Sequence, residues 1–298
     1  MTRFYSIGGL TLSLECDPGP HRLFLEDALE SFTCEPCARP DIQFRVDIES
    51  AFPGLDAYKT IFTSNPDGLW TILEDMAKSH YLIALQNVAS DKEPYRIIRA
   101  DRKFSDFHIY TRPSDEGVLY PLEYPLADLA VSGHININRI GIILHSACVS
   151  TGGRGLLFSG VSGAGKSTIS ELWQKDPGSV VLTDERVLIR EKDADLWAYG
   201  TPWHGTSVIH KNLGVPIDRV FFIKHGGINR IWPLSRKDAA NRLMVRCFPT
   251  FWNLDGMKFA LDFCLRVADE IECGELSFIK EMSTVDFLKK MDTPKHHN

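Results

Sequence analysis

The chain has 298 residues, 44% hydrophobic and 24% charged, with a formal net charge of −6 and a pI near 5.9. That length exceeds what one hydrophobic core usually fills, so two domains are expected, and the composition excludes extended disorder. A weakly acidic chain has no global basic field for nucleic acid or an anionic membrane, which leaves a soluble enzyme as the default class.

No apolar run approaches the roughly 20 residues that span a bilayer, and residues 1–9 lack a signal-peptide apolar region, so the expected location is cytoplasmic, with neither membrane nor nucleic acid as partner. Seven cysteines, an odd number scattered along the chain, fit free thiols in a reducing compartment better than a disulfide framework.

From Phe4 to about Arg112 apolar residues recur with period two, as in residues 42–48 and 107–110, which predicts mostly antiparallel strands. Turn signals stand at 17–20, 65–68 and 90–94, and only Arg22 to Phe32 reads as an early helix. The segment 112–126, with Pro113, Pro121, Pro125 and the cluster Ser114-Asp115-Glu116-Gly117, is the candidate boundary between a strand-rich accessory or substrate-presenting region (1–125) and a second domain (126–298).

Beyond that boundary the texture is α/β. A helix is expected over 126–135, buried strands over 141–149 and 155–159, a strand over 180–183 and a hairpin over 187–199. A strand over 219–224 and helices near 235–246 and 257–270 follow. No internal repeat, heptad run or low-complexity tract is present.

Between the strand 155–159 and the helix begun by Ile169-Ser170-Glu171-Leu172-Trp173 stands Gly160-Val161-Ser162-Gly163-Ala164-Gly165-Lys166-Ser167-Thr168. A triphosphate is a dense anion, and a loop whose backbone N–H groups converge at a helix N-terminus holds it well. Gly160, Gly163 and Gly165 allow φ > 0 and close backbone approach, Lys166 reaches β/γ-phosphates and the Ser167 hydroxyl suits Mg²⁺. ATP, or another nucleoside triphosphate, with Mg²⁺ is therefore the expected cofactor set. A nucleophile elbow is excluded because Ser162 sits in Gly-Val-Ser-Gly-Ala, and no His-Glu-x-x-His zinc helix exists.

Two companions flank the loop: His145 on the preceding strand, and the acidic pair Asp184-Glu185 at the end of the strand after it. A carboxylate there takes a proton from an attacking hydroxyl or binds Mg²⁺, while an imidazole orients that carboxylate or touches phosphate oxygens.

Over roughly residues 144–190 this arrangement resembles the HPr kinase/phosphorylase family, whose kinase domain is related in fold to phosphoenolpyruvate carboxykinase. The resemblance implies an α/β P-loop kinase core preceded by a strand-rich α+β N-terminal region, with Asp184 as general base toward a substrate hydroxyl. Glu185, where the family has Asp, would be a metal-side or supporting carboxylate, and His145 a phosphate-proximal helper. The Leu-Glu-Ile-Arg-Gly-like second signature of that family is not found here, which points away from HPr as acceptor. The stretch Gly200-Thr201-Pro202-Trp203-His204-Gly205 is instead similar to a loop of smaller kinases of this superfamily, including those that phosphorylate a serine in lasso-peptide precursors. An acid is expected soon after that loop in such relatives, whereas Thr206 and Ser207 stand here; Trp203 and His204 are candidates for substrate contact. The resembled family is oligomeric, so a homo-oligomer is a possible assembly.

An arginine neutralising the transferring phosphoryl group is expected near the site, and among Arg230, Arg242 and Arg246 the choice is Arg246. Cys34-Glu35-Pro36-Cys37 has zinc-knuckle spacing but no partner pair, and the tail Lys295-His296-His297 reads as polar and disordered. The sequence thus points to a serine-directed kinase acting on a hydroxyl-bearing peptide, protein or small molecule. The alternatives are a nucleotide-sensing or ATP-hydrolysing switch without an acceptor, and a catalytically dead binding scaffold.

Overall fold

A computed structural model describes residues 1–49, 52–64, 68–86, 94–205 and 207–292. Residues 65–67 and 90–93 of the expected turns, Thr206 and the tail Lys295-His296-His297 lie outside the described residues. The protein is mixed α/β with several sheets, and among the described residues no helix is long and apolar enough to cross a membrane.

The first compact unit comprises Met1–Arg139 and Pro249–Met257. Its strands are β1 (Thr2–Ile7), β2 (Leu10–Cys16), β3 (Arg22–Leu23), β4 (Ile42–Ile48), β5 (Tyr58–Thr63), β6 (Trp70–Asp75), β7 (His80–Leu85), β8 (Arg96–Asp101), β9 (Asp106–Thr111) and β10 (Val118–Leu119), and its helices are α1 (Asp27–Glu30) and α2 (Leu126–Ile137). Eight strands form one sheet in the order β1-β2-β4-β9-β8-β7-β6-β5. It is antiparallel except where β4 runs parallel to β2 and β9. Gly8 and Gly9, both at positive φ, form the two-residue turn that locks Ile7 opposite Leu10.

The helix expected over 22–32 shrinks to the single turn α1. Arg22 and Phe24 donate their N–H groups to the carbonyls of Gly117 and Leu119, so the start of the segment is taken up as β3 beside β10. Helix α2, assigned from sequence to the second domain, is compact with the first unit, and the break falls after Arg139. The reason is burial: residues 126–136 are all buried, and Gly133 lies so close to the Phe104 ring that a Cβ there would sit 2.4 Å from Phe104 Cδ1. Phe107 stacks on Phe44 and meets Phe104 edge-on.

The second unit comprises Ile140–Phe248 and Lys258–Asn298. Its strands are β11 (Gly141–Thr151), β12 (Arg154–Ser159), β13 (Ser179–Thr183), β14 (Arg186–Lys192), β15 (Asp195–Tyr199), β16 (Gly214–His225), β17 (Arg230–Pro233) and β18 (Glu272–Phe278). The helices are α3 (Lys166–Gln174), α4 (Arg236–Met244), α5 (Leu254–Glu270), which enters this unit at Lys258, and α6 (Ser283–Lys289). The sequence reading had not marked β17, β18 or α6. The pairing path β12-β11-β14-β15-β16 closes on itself through β12–β16, and β18 and β17 extend it beyond β16.

Alternation along the long strands explains the layers. Cys148, Leu157, Val220 and Phe222 point into one core, shared with Ala239 and Leu243 of α4 and Ala260, Phe263, Cys264 and Val267 of α5. Ala147, Val149, Leu156, Phe158, Phe221 and Ile223 point into the other, shared with Ile169, Leu172 and Trp173 of α3 and Val285 and Leu288 of α6. Strands buried on both faces read as continuous apolar runs, which is why 141–149 and 155–159 were recognisable.

Candidate functional site

The site is organised by β11. Along one edge β13 and β14 lie in line, Cys148 opposite Thr183 and His145 opposite Arg186. Asp184-Glu185 therefore fills the two-residue step between them, beside Ser146-Ala147, and Ser146 donates its N–H to the Glu185 carbonyl at 3.1 Å. On the other edge β12 pairs from Thr151 back to Ser146, where Ser159 stands opposite. From there the chain leaves as the glycine-rich loop, and Arg246 to Phe248 take over the edge: His145 N–H reaches the Arg246 carbonyl at 2.8 Å and Phe248 N–H the Ile143 carbonyl at 3.0 Å. One strand thus carries His145 between the acids on one side and the loop and Arg246 on the other.

The loop enters α3 through Gly165, which has φ +105 and offers no side-chain cap to the first N–H groups of the helix. A Cβ on Gly165 would lie 2.5 Å from His225 Cε1 and 2.8 Å from Phe278 Cζ; glycine is required by conformation and by space. Val161, Ser162 and Gly163 are exposed, whereas Lys166 is 8% exposed. Its ammonium turns back to donate to the Gly160 carbonyl at 3.0 Å. Burial pulls the Lys166 pKa down, with Arg246 adding to that; Glu185 and Asp184 oppose it. Those charge effects bring the loop lysine, the acidic pair and Arg246 into one electrostatic neighbourhood.

Glu185 and His145 are paired directly, Nδ1 lying 3.1 Å from Oε1. Burial pushes the Glu185 carboxyl up, but the hydrogen bond and charge of His145, with Arg186 and Lys166, outweigh it and hold the carboxyl below its ordinary value. Asp184 is only 2% exposed and accepts a long hydrogen bond, 3.4 Å, from the Gly205 N–H.

Of the three candidate arginines, Arg246 is the one whose charge acts on Lys166. Its Nη1 donates to the Arg242 carbonyl at 2.9 Å and its guanidinium lies 5.3 Å from the Phe222 ring, while its buried Nε has no hydrogen-bond partner among the described residues. Arg242 is engaged by Glu275 at 2.8 Å, and Arg230 lies over the Trp232 ring on β17. Trp203 is buried at the base of its loop, and His204 stacks on His210 at a 5.5 Å ring separation. Cys34 and Cys37 are half-buried free thiols.

Three further residues belong to this neighbourhood. Gly205 brings its N–H to Asp184. Arg186 lies over the Phe248 ring at 4.0 Å, and its carbonyl takes the Thr201 hydroxyl at 2.8 Å. His225, at the end of β16, lies against Gly165. His225 reaches the loop through the pairing of β16 with β12, so no local pattern marks it, whereas Arg186 directly follows the acidic pair and Gly205 closes the stretch 200–205. No protein-family model matches this chain, and no curated protein is significantly similar to it.

Proposed function

We propose that this chain is a kinase of the HPr kinase-like, phosphoenolpyruvate carboxykinase-related type, using ATP with Mg²⁺ to phosphorylate a hydroxyl, with a serine of a peptide or protein as acceptor. One observation carries the reading: a buried lysine at the start of α3, behind an exposed glycine loop, shares its electrostatic field with a buried aspartate and a histidine-paired glutamate.

The residues suit both cofactors. The loop N–H groups and Lys166 form a phosphate cradle, and the Lys166 ammonium, resting on the Gly160 carbonyl, exchanges that contact for phosphate oxygens. The Ser167 hydroxyl and the Glu185 carboxylate are oxygen donors of the kind a hard cation takes together with phosphate. Mg²⁺ held there would neutralise charge on phosphate oxygens.

In this reading Asp184 takes the proton from the acceptor hydroxyl, and the Gly205 N–H holds one of its oxygens in place. His145 fixes the Glu185 carboxylate, and Arg246 faces the phosphoryl group with unspent donor capacity. The buried Asp184 favours transfer over the switch reading, because a nucleotide sensor needs Lys166 and Ser167 but no base.

The test follows the γ-phosphate of labelled ATP with Mg²⁺ onto serine-containing peptides encoded by neighbouring genes, comparing wild type with Asp184→Asn. Transfer that is lost in the variant while nucleotide binding is kept supports the kinase. Binding without transfer, or hydrolysis indifferent to the substitution, overturns it in favour of the switch.

A further inference from the structure

The first unit contains a cavity that the phosphate loop does not explain. It measures about 720 Å³ and is walled in part by Tyr95, Arg96, Arg112, Asp115, Tyr120 and Glu123, a volume within the range of small-molecule sites.

Its distinctive wall residue is Arg96, which opens β8 and is 3% exposed. A guanidinium cannot shed its charge and has five N–H donors to satisfy. Here Nε donates to the Thr111 hydroxyl at 3.2 Å, and Nη2 lies 3.4 Å from Glu123 Oε2. Nη1 is buried and has no hydrogen-bond partner among the described residues. Burial pulls the Arg96 pKa down and Glu123 restores it in part. The pairing is loose, since the Glu123 carboxylate is itself 46% exposed. A pair serving the fold alone would be expected to close to bidentate contact.

The second cation, Arg112, is exposed and lies over the Phe52 ring at 4.1 Å, which steadies its head beside the cavity. Against these two cations stand the carboxylates of Asp115 and Glu123, so the lining has no excess positive charge to hold a triphosphate. It suits one planar anionic group that takes the place of Glu123.

We propose that this cavity is a binding site for a carboxylate-bearing ligand, with Arg96 as the buried anchor and Arg112 as the rim cation. The ligand carboxylate displaces Glu123 into solvent, completes the guanidinium fork and leaves its remaining atoms against Tyr95 and Tyr120. The site is independent of the kinase reading and stands or falls without it.

The test is calorimetric titration of the full chain with glutarate, with an acetylated peptide ending in Glu, with inorganic phosphate and with the neutral analogue glutaramide. Glu123→Gln removes the internal competitor and tightens the carboxylate probes by about tenfold, whereas Arg112→Gln weakens them by a similar factor. Glu123→Gln also lowers the melting temperature of the free protein, and the bound carboxylate restores it. Preference for glutarate identifies a small acid, and preference for the peptide identifies a chain terminus. Equal binding of phosphate, binding indifferent to both substitutions, or no binding of either carboxylate by wild type or Glu123→Gln at millimolar concentration overturns the proposal.

Discussion

The Nδ1 atom of His145 lies 3.1 Å from the Glu185 carboxylate and 3.2 Å from the Glu185 carbonyl oxygen. Both neighbours are acceptors, so Nδ1 is the nitrogen that donates a proton to them. The imidazole is thereby fixed in tautomer and plane. His145 is a positioning residue in this arrangement: His145→Ala is expected to lower phosphoryl transfer by about 10–100-fold with little change in nucleotide affinity. Single-turnover kinetics beside equilibrium binding checks this, and an equal loss in both would assign the imidazole to the phosphates instead.

The depressed pKa of Glu185 makes a stability prediction. A carboxyl held below its unfolded value stabilises the fold at pH above that unfolded value, and the contribution is lost as the pH falls through the lower, folded value. Burial works against the ionised form here, and His145, Arg186 and Lys166 more than offset it. The stability gap between wild type and Glu185→Gln is thus expected at neutral pH and should close on the acid side. Urea midpoints measured across that range decide it; a gap that widens on acidification would contradict the pairing.

Lys166 separates stability from function. Its ammonium is buried, and burial dominates its lowered pKa. Lys166→Met keeps most of the apolar stem and removes the buried charge, at the cost of the Lys166 contribution to Glu185, so the folded protein should change little in stability while nucleotide affinity drops by at least about tenfold. A melting curve and a titration with fluorescent nucleotide report the two effects separately.

Two glycines of the loop should respond differently to alanine. Gly163 and Gly165 both have positive φ, but the space around a Gly163 Cβ is open within 4 Å, whereas a Gly165 Cβ meets His225 and Phe278. Gly163→Ala is expected to cost about 1–3 kcal/mol from backbone strain. Gly165→Ala should cost more, because overpacking adds about 1–3 kcal/mol. Denaturant midpoints of the two variants give the order, and equal losses would count against the packing described for Gly165.

Thiol reactivity tests the burial pattern. Cys148 is pushed up to about 12 and Cys273 to about 11 by burial, while Cys264 is raised by its hydrogen bond with Cys247 as well as by burial. Cys34 and Cys37 are the half-buried pair. Under native conditions an alkylating reagent should modify Cys34 and Cys37 and reach the others only after unfolding, which intact-mass analysis with and without denaturant shows directly.

Much of this protein is written in local residue choices. Residues 160–168 specify a strand–glycine loop–helix turn because each of its demands, positive φ at Gly163 and Gly165 and a helix start at Lys166, is met by a residue type within a few positions. The apolar runs 141–149 and 155–159 specify buried strands because both of their faces are covered. The acidic pair was legible as a strand end, though not as the step between β13 and β14.

Tertiary structure decided what those strands bring together. β11 collects Arg246 to Phe248 on one edge and Asp184-Glu185 on the other, from segments far apart in the chain, and the end of β16 sets His225 against Gly165. It also turned the start of the expected helix at 22–32 into β3, because β10 supplies backbone partners there, and joined α2 to the first unit through the close approach of Gly133 to Phe104. Propensity and periodicity act over a window of a few residues, whereas strand register and side-chain burial depend on partners that only the folded chain brings within reach.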